Sequence, residues 1–172
     1  MAKRRVDAVE ALKLALERER GANKFYRQAA ETVKDANGQR TFRWLAKEEL
    51  RHVAKLRAQL KSYVDTGAWL EWKRLSPPIA KSELPPEVSE AKGPVQVDSR
   101  EKDVLRQAIA AEKEAQAFYN QCEDGTPDLN GKTMFKALAK EEEGHQSLLE
   151  EELKWIIESH KYFTLHRFQL RG

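Results

Sequence analysis

One stretch of this chain occurs twice, and the repetition constrains the fold more than any other feature of the sequence. LAKEELRHVAKL begins at Leu45, and LAKEEEGHQSLL begins at Leu138. A shift of 93 residues without a gap aligns residues 15–61 with residues 108–154, and 19 of the 47 aligned positions are identical. Two amphipathic helices would share apolar spacing, but not FY, NG and LAKEE-x-x-H at one offset. The sequence therefore predicts two copies of one helical hairpin.

Breaks in the apolar pattern indicate how the two copies are joined. Apolar residues recur every three or four positions in four runs, which predicts four amphipathic helices. Short breaker segments at 35–38 and 123–131 separate the helices of each copy, whereas residues 66–97, with all but one of the six prolines, form a longer link. We expect an all-α four-helix bundle as a single domain over residues 1–172, with a crossover between the second and third helices. A short helical or aromatic tail at 159–172 is expected to dock on the bundle or on a second subunit.

Each apolar stripe is interrupted at one level by an acidic side chain, and two of the four stripes also carry a histidine there. Four carboxylates buried in an apolar bundle are very unfavourable unless something neutralises them. Two divalent cations would balance the four negative charges, and Glu and His three residues apart lie on one helix face. Carboxylate oxygens with one imidazole per ion suit iron or manganese better than zinc. The predicted metal ligands are Glu19, Glu49, His52, Glu112, Glu142 and His145.

The turns lie where this interpretation requires them. In an antiparallel hairpin, residues at one level are equidistant from the turn. The midpoint between the lone glutamate and the Glu-x-x-His pair falls near residue 35 in the first copy and near residue 128 in the second. Both positions lie inside the short breaker segments, so each lone glutamate is expected to face the pair of its own hairpin.

The motifs resemble those of the rubrerythrin family, whose di-iron domain belongs to the ferritin-like superfamily. ERERGANKFYRQAAE and AEKEAQAFYNQCED are similar to that family's lone-glutamate helices, and EELRH and EEEGH are similar to its metal-binding pairs. The resemblance covers about residues 8–158 and implies a ferritin-like bundle that holds two iron ions. It also implies that Glu49 and Glu142 bridge the ions, that Glu19 and Glu112 are terminal ligands, and that each histidine binds one ion.

The same resemblance singles out two tyrosines and one alanine. Tyr26 and Tyr119 each follow a lone glutamate by seven residues, and they are candidate catalytic residues that hydrogen-bond the ligands or take part in electron transfer. The alternative is that both are ordinary aromatic core residues. Rubrerythrins carry an extra glutamate, involved in ligand exchange during peroxide reduction, where this chain has Ala115. The six-ligand pattern is accordingly nearer to a ferritin-type oxidation centre.

These features favour a di-iron oxidoreductase that reduces peroxide, or that oxidises ferrous iron with O₂ or peroxide. A single cysteine, Cys122, leaves no place for the two Cys pairs of a rubredoxin module. An electron donor is therefore expected to be an external rubredoxin-type protein. The alternatives are a dimanganese catalase-type enzyme, a hydroxylase of an organic substrate, and a non-catalytic helical interaction protein with a structural metal site.

Composition and charge narrow the partners and the location. The net charge is only +3, from 31 basic and 28 acidic residues, which argues against nucleic acid, and no apolar run is long enough to span a bilayer. The basic start MAKRR is not followed by a secretory apolar segment, so a cytoplasmic location is expected. A homodimer is also expected, because the family commonly forms dimers and the aromatic tail offers a surface for one.

Several other residues are considered for a role at the predicted metal site. Glu152 follows His145 by seven residues and is a less favoured candidate for approaching the metals, while Glu114 is expected to point away from them. Cys122 is expected to be a small buried hydrophobe, with a redox-sensing thiol as the alternative. Ordinary solvated helix faces are expected for Glu48, Glu141, Glu150 and Glu151.

Overall fold

Long helices make up nearly all of the described chain. The computed structural model describes residues 7–75, 85–86 and 99–169, with side chains up to residue 158. No strand occurs in these ranges. The helices are α1 (Ala8–Thr32), α2 (Ala36–Thr66), α3 (Trp72–Leu75), α4 (Ser99–Gly125) and α5 (Leu129–Gln169).

Aspartate caps define where α2 and α5 begin. The Asp35 side chain accepts a hydrogen bond from the backbone N–H of Gly38 (2.8 Å). Asp128, at the same place in the second copy, accepts one from the backbone N–H of Gly131 (3.1 Å). Such caps satisfy N–H groups that have no partner inside the helix. The connections are shorter than the predicted breaker segments: residues 33–35 join α1 to α2, and residues 126–128 join α4 to α5. The last residues of both predicted segments belong to the first turns of α2 and α5, and the first residues of the second one belong to the end of α4.

The four long helices form a bundle of two hairpins. α1 packs along α2 and α4 packs along α5, while α1 also contacts α4 and α2 contacts α5. The connection inside each hairpin is short, and the one between α2 and α4 is long. The prediction of an all-α, ferritin-like four-helix bundle with a crossover between the second and third long helices is confirmed.

Two apolar clusters fill the bundle, one on each side of the level where acidic residues interrupt the stripes. The same stacked pair occurs in both copies: Tyr26 lies on Phe42 with ring centroids 6.0 Å apart, and Tyr119 lies on Phe135 at 6.2 Å. The first cluster includes Leu12, Leu16, Leu56, Tyr119, Cys122, Phe135 and Leu138. The second cluster includes Tyr26, Phe42, Leu45, Leu105, Ile109, Leu149 and Ile156. Along every long helix, the interrupting acidic residue lies between members of the two clusters.

The start of the crossover packs on the bundle. Trp69 lies against Phe135 with ring centroids 5.7 Å apart. The Gln59 side chain accepts a hydrogen bond from the backbone N–H of Leu70 (3.2 Å). The predicted crossover over 66–97 begins where α2 ends, but most of it lies outside the described residues. No helix in the described part of the chain is both long and apolar enough to cross a membrane.

The predicted tail at 159–172 is not a separate element. α5 continues without a break to Gln169, so residues 159–169 extend the fourth long helix, in line with the helical form of the predicted tail. Its predicted docking on the bundle or on a second subunit depends on side chains that lie outside the described residues. The single domain over residues 1–172 stays a prediction.

Candidate metal centre

The structure brings all six predicted ligand side chains together at mid-bundle. Each of the four long helices contributes, and every one of the six residues is at most 4% exposed. They occupy the level between the two apolar clusters, which cover the site from both ends of the bundle. The six side chains are those of Glu19, Glu49, His52, Glu112, Glu142 and His145.

His52 lies close to three carboxylates at once. Its Nδ1 atom lies 3.3 Å from Glu19 Oε2, 3.4 Å from Glu49 Oε2 and 3.2 Å from Glu142 Oε1. A ring nitrogen carries at most one proton, so it can donate to only one of these oxygens. The crowding of acceptors around Nδ1 is what a site for a cation requires.

His145 repeats this arrangement in the second copy. Its Nδ1 atom lies 2.9 Å from Glu142 Oε2, 3.4 Å from Glu49 Oε1 and 3.9 Å from Glu112 Oε1. The imidazole rings of His52 and His145 are nearly parallel, with centroids 5.6 Å apart and an interplanar angle of 21°. Each histidine therefore belongs to its own group of carboxylates, and the two groups are adjacent.

The two groups overlap in two residues. In each group, one donor atom from every member lies within 4.8 Å of the others. One group contains Glu19 and His52, the other contains Glu112 and His145, and both contain Glu49 and Glu142. Two four-residue sets that share two carboxylates have the composition of a dinuclear site with bridging carboxylates.

Burial and contacts among the six side chains raise the pKa values of some of these groups and lower those of others. Burial, with the nearby Glu49, raises the pKa of Glu19, and burial with the nearby Glu142 raises that of Glu112. Burial opposes ionisation of Glu49 too, yet the polar groups of Glu19 and the two histidines close to its carboxylate lower its pKa. The surrounding carboxylates raise the pKa of His52 although burial alone would lower it, and His145 behaves alike. Without cations, protons must neutralise the cluster.

Three buried carboxylate oxygens identify what the cluster is missing. Within the described residues, both oxygens of Glu49 and the Oε1 atom of Glu142 accept no hydrogen bond of good geometry. Buried acceptors that receive no good hydrogen bond are costly, and these belong to the two shared residues. Metal ions between the two groups would satisfy all three oxygens, so the donor set fits a pair of divalent cations.

The candidate tyrosines link the two copies. The Tyr26 hydroxyl donates a hydrogen bond to Glu112 Oε1, and the Tyr119 hydroxyl donates one to Glu19 Oε1. Each tyrosine thus binds the lone glutamate of the other hairpin. Burial and the neighbouring negative charge raise the pKa of both hydroxyls, so they remain protonated donors. Both rings are also part of the core, so each tyrosine is a packed core residue and also a hydrogen-bond donor to a candidate ligand.

Glu141 is a contact of the site that the sequence analysis missed. It was expected on a solvated face, but its Oε2 atom lies 2.7 Å from His52 Nε2 and 3.0 Å from Lys55 Nζ. Although burial acts in the opposite direction, the hydrogen bond with His52 and the charge of Lys55 lower the pKa of Glu141 to about 2. A carboxylate on the far nitrogen of a metal-binding imidazole holds the ring in one orientation.

Glu48 occupies the position equivalent to Glu141 in the first copy, and its expected solvated location is also wrong. It is 6% exposed and bonds to Arg51. Glu150 and Glu151 are exposed, as predicted. The repeat itself could have identified Glu48 and Glu141, because a glutamate directly before the Glu-x-x-His motif occurs in both copies. Helical periodicity alone placed both residues on the outside.

The other residues that the sequence analysis considered for the site belong to neither group of candidate ligands. Glu152 is fully buried, but it accepts a hydrogen bond from Thr41 (3.4 Å) and belongs to neither group of candidate ligands. Glu114 is exposed, as its position two residues after Glu112 predicts. Cys122 is 3% exposed within the first apolar cluster, and burial raises the pKa of its thiol to about 11, which supports the hydrophobic interpretation over a reactive thiol.

Comparisons with known proteins agree with this geometry. A family-level comparison matches residues 10–153, and again residues 103–166, to rubrerythrin. The chain belongs to the rubrerythrin family. A hypothetical protein from Pyrococcus furiosus has a similar structure, with a TM-score of 0.66 and 28% sequence identity. The similarity covers 88% of this rubrerythrin-family chain and 91% of the other. A search of curated proteins found no match.

Proposed function

We propose that this rubrerythrin-family protein is a di-iron oxidoreductase that reduces peroxide or oxidises ferrous iron with O₂ or peroxide. The observation that carries the proposal is the overlap of two buried ligand sets in two shared carboxylates. A structural ion needs only one closed ligand set. Two adjacent ions suit a reaction in which two electrons are exchanged.

The residues divide naturally between two metal positions. Four carboxylates and two neutral imidazoles give an oxygen-rich, formally neutral site for two divalent ions, and such donors favour iron or manganese over zinc. When bound, the ions supply the electrons and the open positions at which peroxide or O₂ reacts. Glu19 and His52 would hold one ion, Glu112 and His145 would hold the other, and Glu49 and Glu142 would serve both.

The chain's own side chains hold this arrangement. The Tyr26 and Tyr119 hydroxyls donate to the terminal glutamates and so restrict each of those carboxylates to one orientation. Glu141 orients the His52 ring from its far nitrogen. The apolar clusters exclude water from the two ends of the site, which strengthens the electrostatic attraction between the carboxylates and bound cations.

The source of electrons is part of the same proposal. Cys122 is the single cysteine of the sequence and is buried, so a Cys-based electron-transfer centre within this sequence is excluded. We propose an external rubredoxin-type protein as the donor. A homodimer and a cytoplasmic location remain predictions of the sequence analysis.

Metal analysis of natively purified protein tests the proposal. We expect close to two iron ions per chain and an optical spectrum that changes when peroxide is added. Two manganese ions and oxygen evolution from peroxide would instead indicate the dimanganese catalase-type enzyme. Metal-loaded protein that neither consumes peroxide nor oxidises ferrous iron would leave a structural metal site and contradict the proposal.

A further inference from the structure

A cavity of about 230 Å³ opens between α1 and α4 directly over the shared carboxylates. Its floor is formed by Glu49 and Glu142 together with the terminal glutamates Glu19 and Glu112. The cavity therefore reaches from the surface of the bundle to Glu49 and Glu142, the two residues with oxygen atoms that accept no good hydrogen bond within the described residues. Anything that binds in it lies next to the proposed metal positions.

Small residues on both helices create this space. Ala22 lies one turn after Glu19, and Ala115 lies one turn after Glu112, so the two alanines are equivalent positions of the repeat. A Cβ atom added at Gly21 would meet nothing within 4 Å. A larger residue at either alanine would project over the carboxylates, because residues three apart share a helix face.

The walls and the rim differ in chemistry. The walls are largely apolar, with Ala22, Phe25, Ala111 and Ala115 among the lining residues. The rim carries Glu17, Glu114 and Arg18, and the Arg18 guanidinium lies over the Phe118 ring, 4.8 Å from its centroid. Acidic groups thus outnumber basic ones at the entrance, which disfavours an organic anion.

The volume exceeds what peroxide needs. An apolar protein cavity of about 150 Å³ holds a benzene molecule. The cavity between α1 and α4 is larger, at about 230 Å³, and its apolar walls gain from contact with carbon rather than with water. Peroxide or O₂ alone would leave most of this apolar surface uncovered.

We propose that this cavity binds a compact, neutral organic molecule with one oxygen-bearing end, the chemical class of an alkyl or aryl hydroperoxide and its alcohol. The apolar body lies against Ala22, Ala115 and Phe25, and the oxygen end faces the floor of carboxylates. This site deepens the proposed function, on which the assignment of a hydroperoxide as substrate rests. The binding itself requires only the shape and the lining of the cavity.

Binding of 2-phenyl-2-propanol, a redox-inert aryl alcohol, tests the site. Calorimetric titration of the natively purified protein is expected to give saturable binding with a Kd in the millimolar range. Ala115→Leu narrows the cavity and is expected to raise the Kd about tenfold or more. Ala117→Leu is the matched control, because Ala117 is an exposed residue of the same helix that does not line the cavity. Ala22→Leu serves as a second blocking variant should Ala115→Leu fail to fold.

The outcomes separate this site from the proposed function. Absence of saturable binding to the wild-type protein, or equal Kd values for the blocking and control variants, would overturn the binding site. Two metal ions and peroxide consumption in the same preparation would then leave the proposed function intact. Saturable binding that the blocking variants weaken supports the site, and it does so even if metal analysis of that preparation contradicts a dinuclear centre.

Discussion

Replacing Glu152 by glutamine is expected to make the protein more stable in alkaline solution. Glu152 is fully buried, and its Oε1 atom accepts no hydrogen bond from the described residues. Burial, together with the negative charges of Asp35 and Glu101, raises the pKa of Glu152 to about 7, while the bond from Thr41 and the charge of Arg40 oppose the increase. The equivalent position in the first copy is already a buried glutamine.

The sign and size of the effect follow from this raised pKa. Between pH 4.5 and about pH 7, the unfolded chain loses the proton of Glu152 while the folded chain keeps it. The folded state is therefore favoured at low pH, and this contribution is lost as the pH rises through about 7. The full difference between the two pKa values corresponds to about 3 kcal/mol, and about 2 kcal/mol of it is lost between pH 5 and pH 8.5, because the remainder lies below pH 5.

Urea denaturation of the wild type and Glu152→Gln at pH 5 and pH 8.5, at equal metal content, measures this change. The variant is expected to gain about 2 kcal/mol on the wild type between the two pH values. Glu151→Gln removes an exposed carboxyl from the same helix and is the matched control. If the stability difference between Glu152→Gln and Glu151→Gln is the same at both pH values, burial among acidic neighbours does not raise the pKa of Glu152.

Four further changes test the metal centre. His52→Ala is expected to lower the metal content from two ions per chain toward one, and full occupancy would contradict the ligand assignment. Glu141→Gln is expected to weaken metal affinity about 10- to 100-fold in competition with a chelator, whereas the exposed Glu143→Gln leaves it unchanged. Tyr26→Phe removes the hydroxyl that donates to Glu112 and should lower the unfolding free energy of metal-free protein by about 1 to 2 kcal/mol. An unchanged unfolding free energy would argue against that hydrogen bond. Chelation is expected to lower Tm, since bound ions stabilise the folded chain, and an equal Tm with and without chelator would argue against buried ions.

The convergence of the six polar side chains was predictable because two local rules act together. Helical periodicity places each glutamate or histidine on the apolar face of its own helix, and the position of the turn determines which level it shares with the partner helix. Asp35 and Asp128 cap helices at equivalent places of the repeat, so the two hairpins bring Glu19 and Glu112 to the same level.

The contacts between hairpins were not predictable in the same way. Tyr26 bonds to the lone glutamate of the other copy, Glu141 reaches His52 across the bundle, and Glu152 pairs with Thr41 rather than with the metal groups. Each of these contacts depends on how far one helix is rotated and shifted against another. That rotation is set by the packing of many side chains at once and leaves no periodic signal in one helix.

The amino-acid sequence by itself determined four amphipathic helices, their pairing into two hairpins, and six inward-facing donors at one level, because these depend on spacing along the chain. The family resemblance implied that Glu49 and Glu142 are shared, but only the tertiary structure decided the distances that place both of them near each histidine, and that Ala22 and Ala115 line one open cavity. Such relations join residues far apart in the chain, and the close packing of helices α1, α2, α4 and α5 fixes their distances.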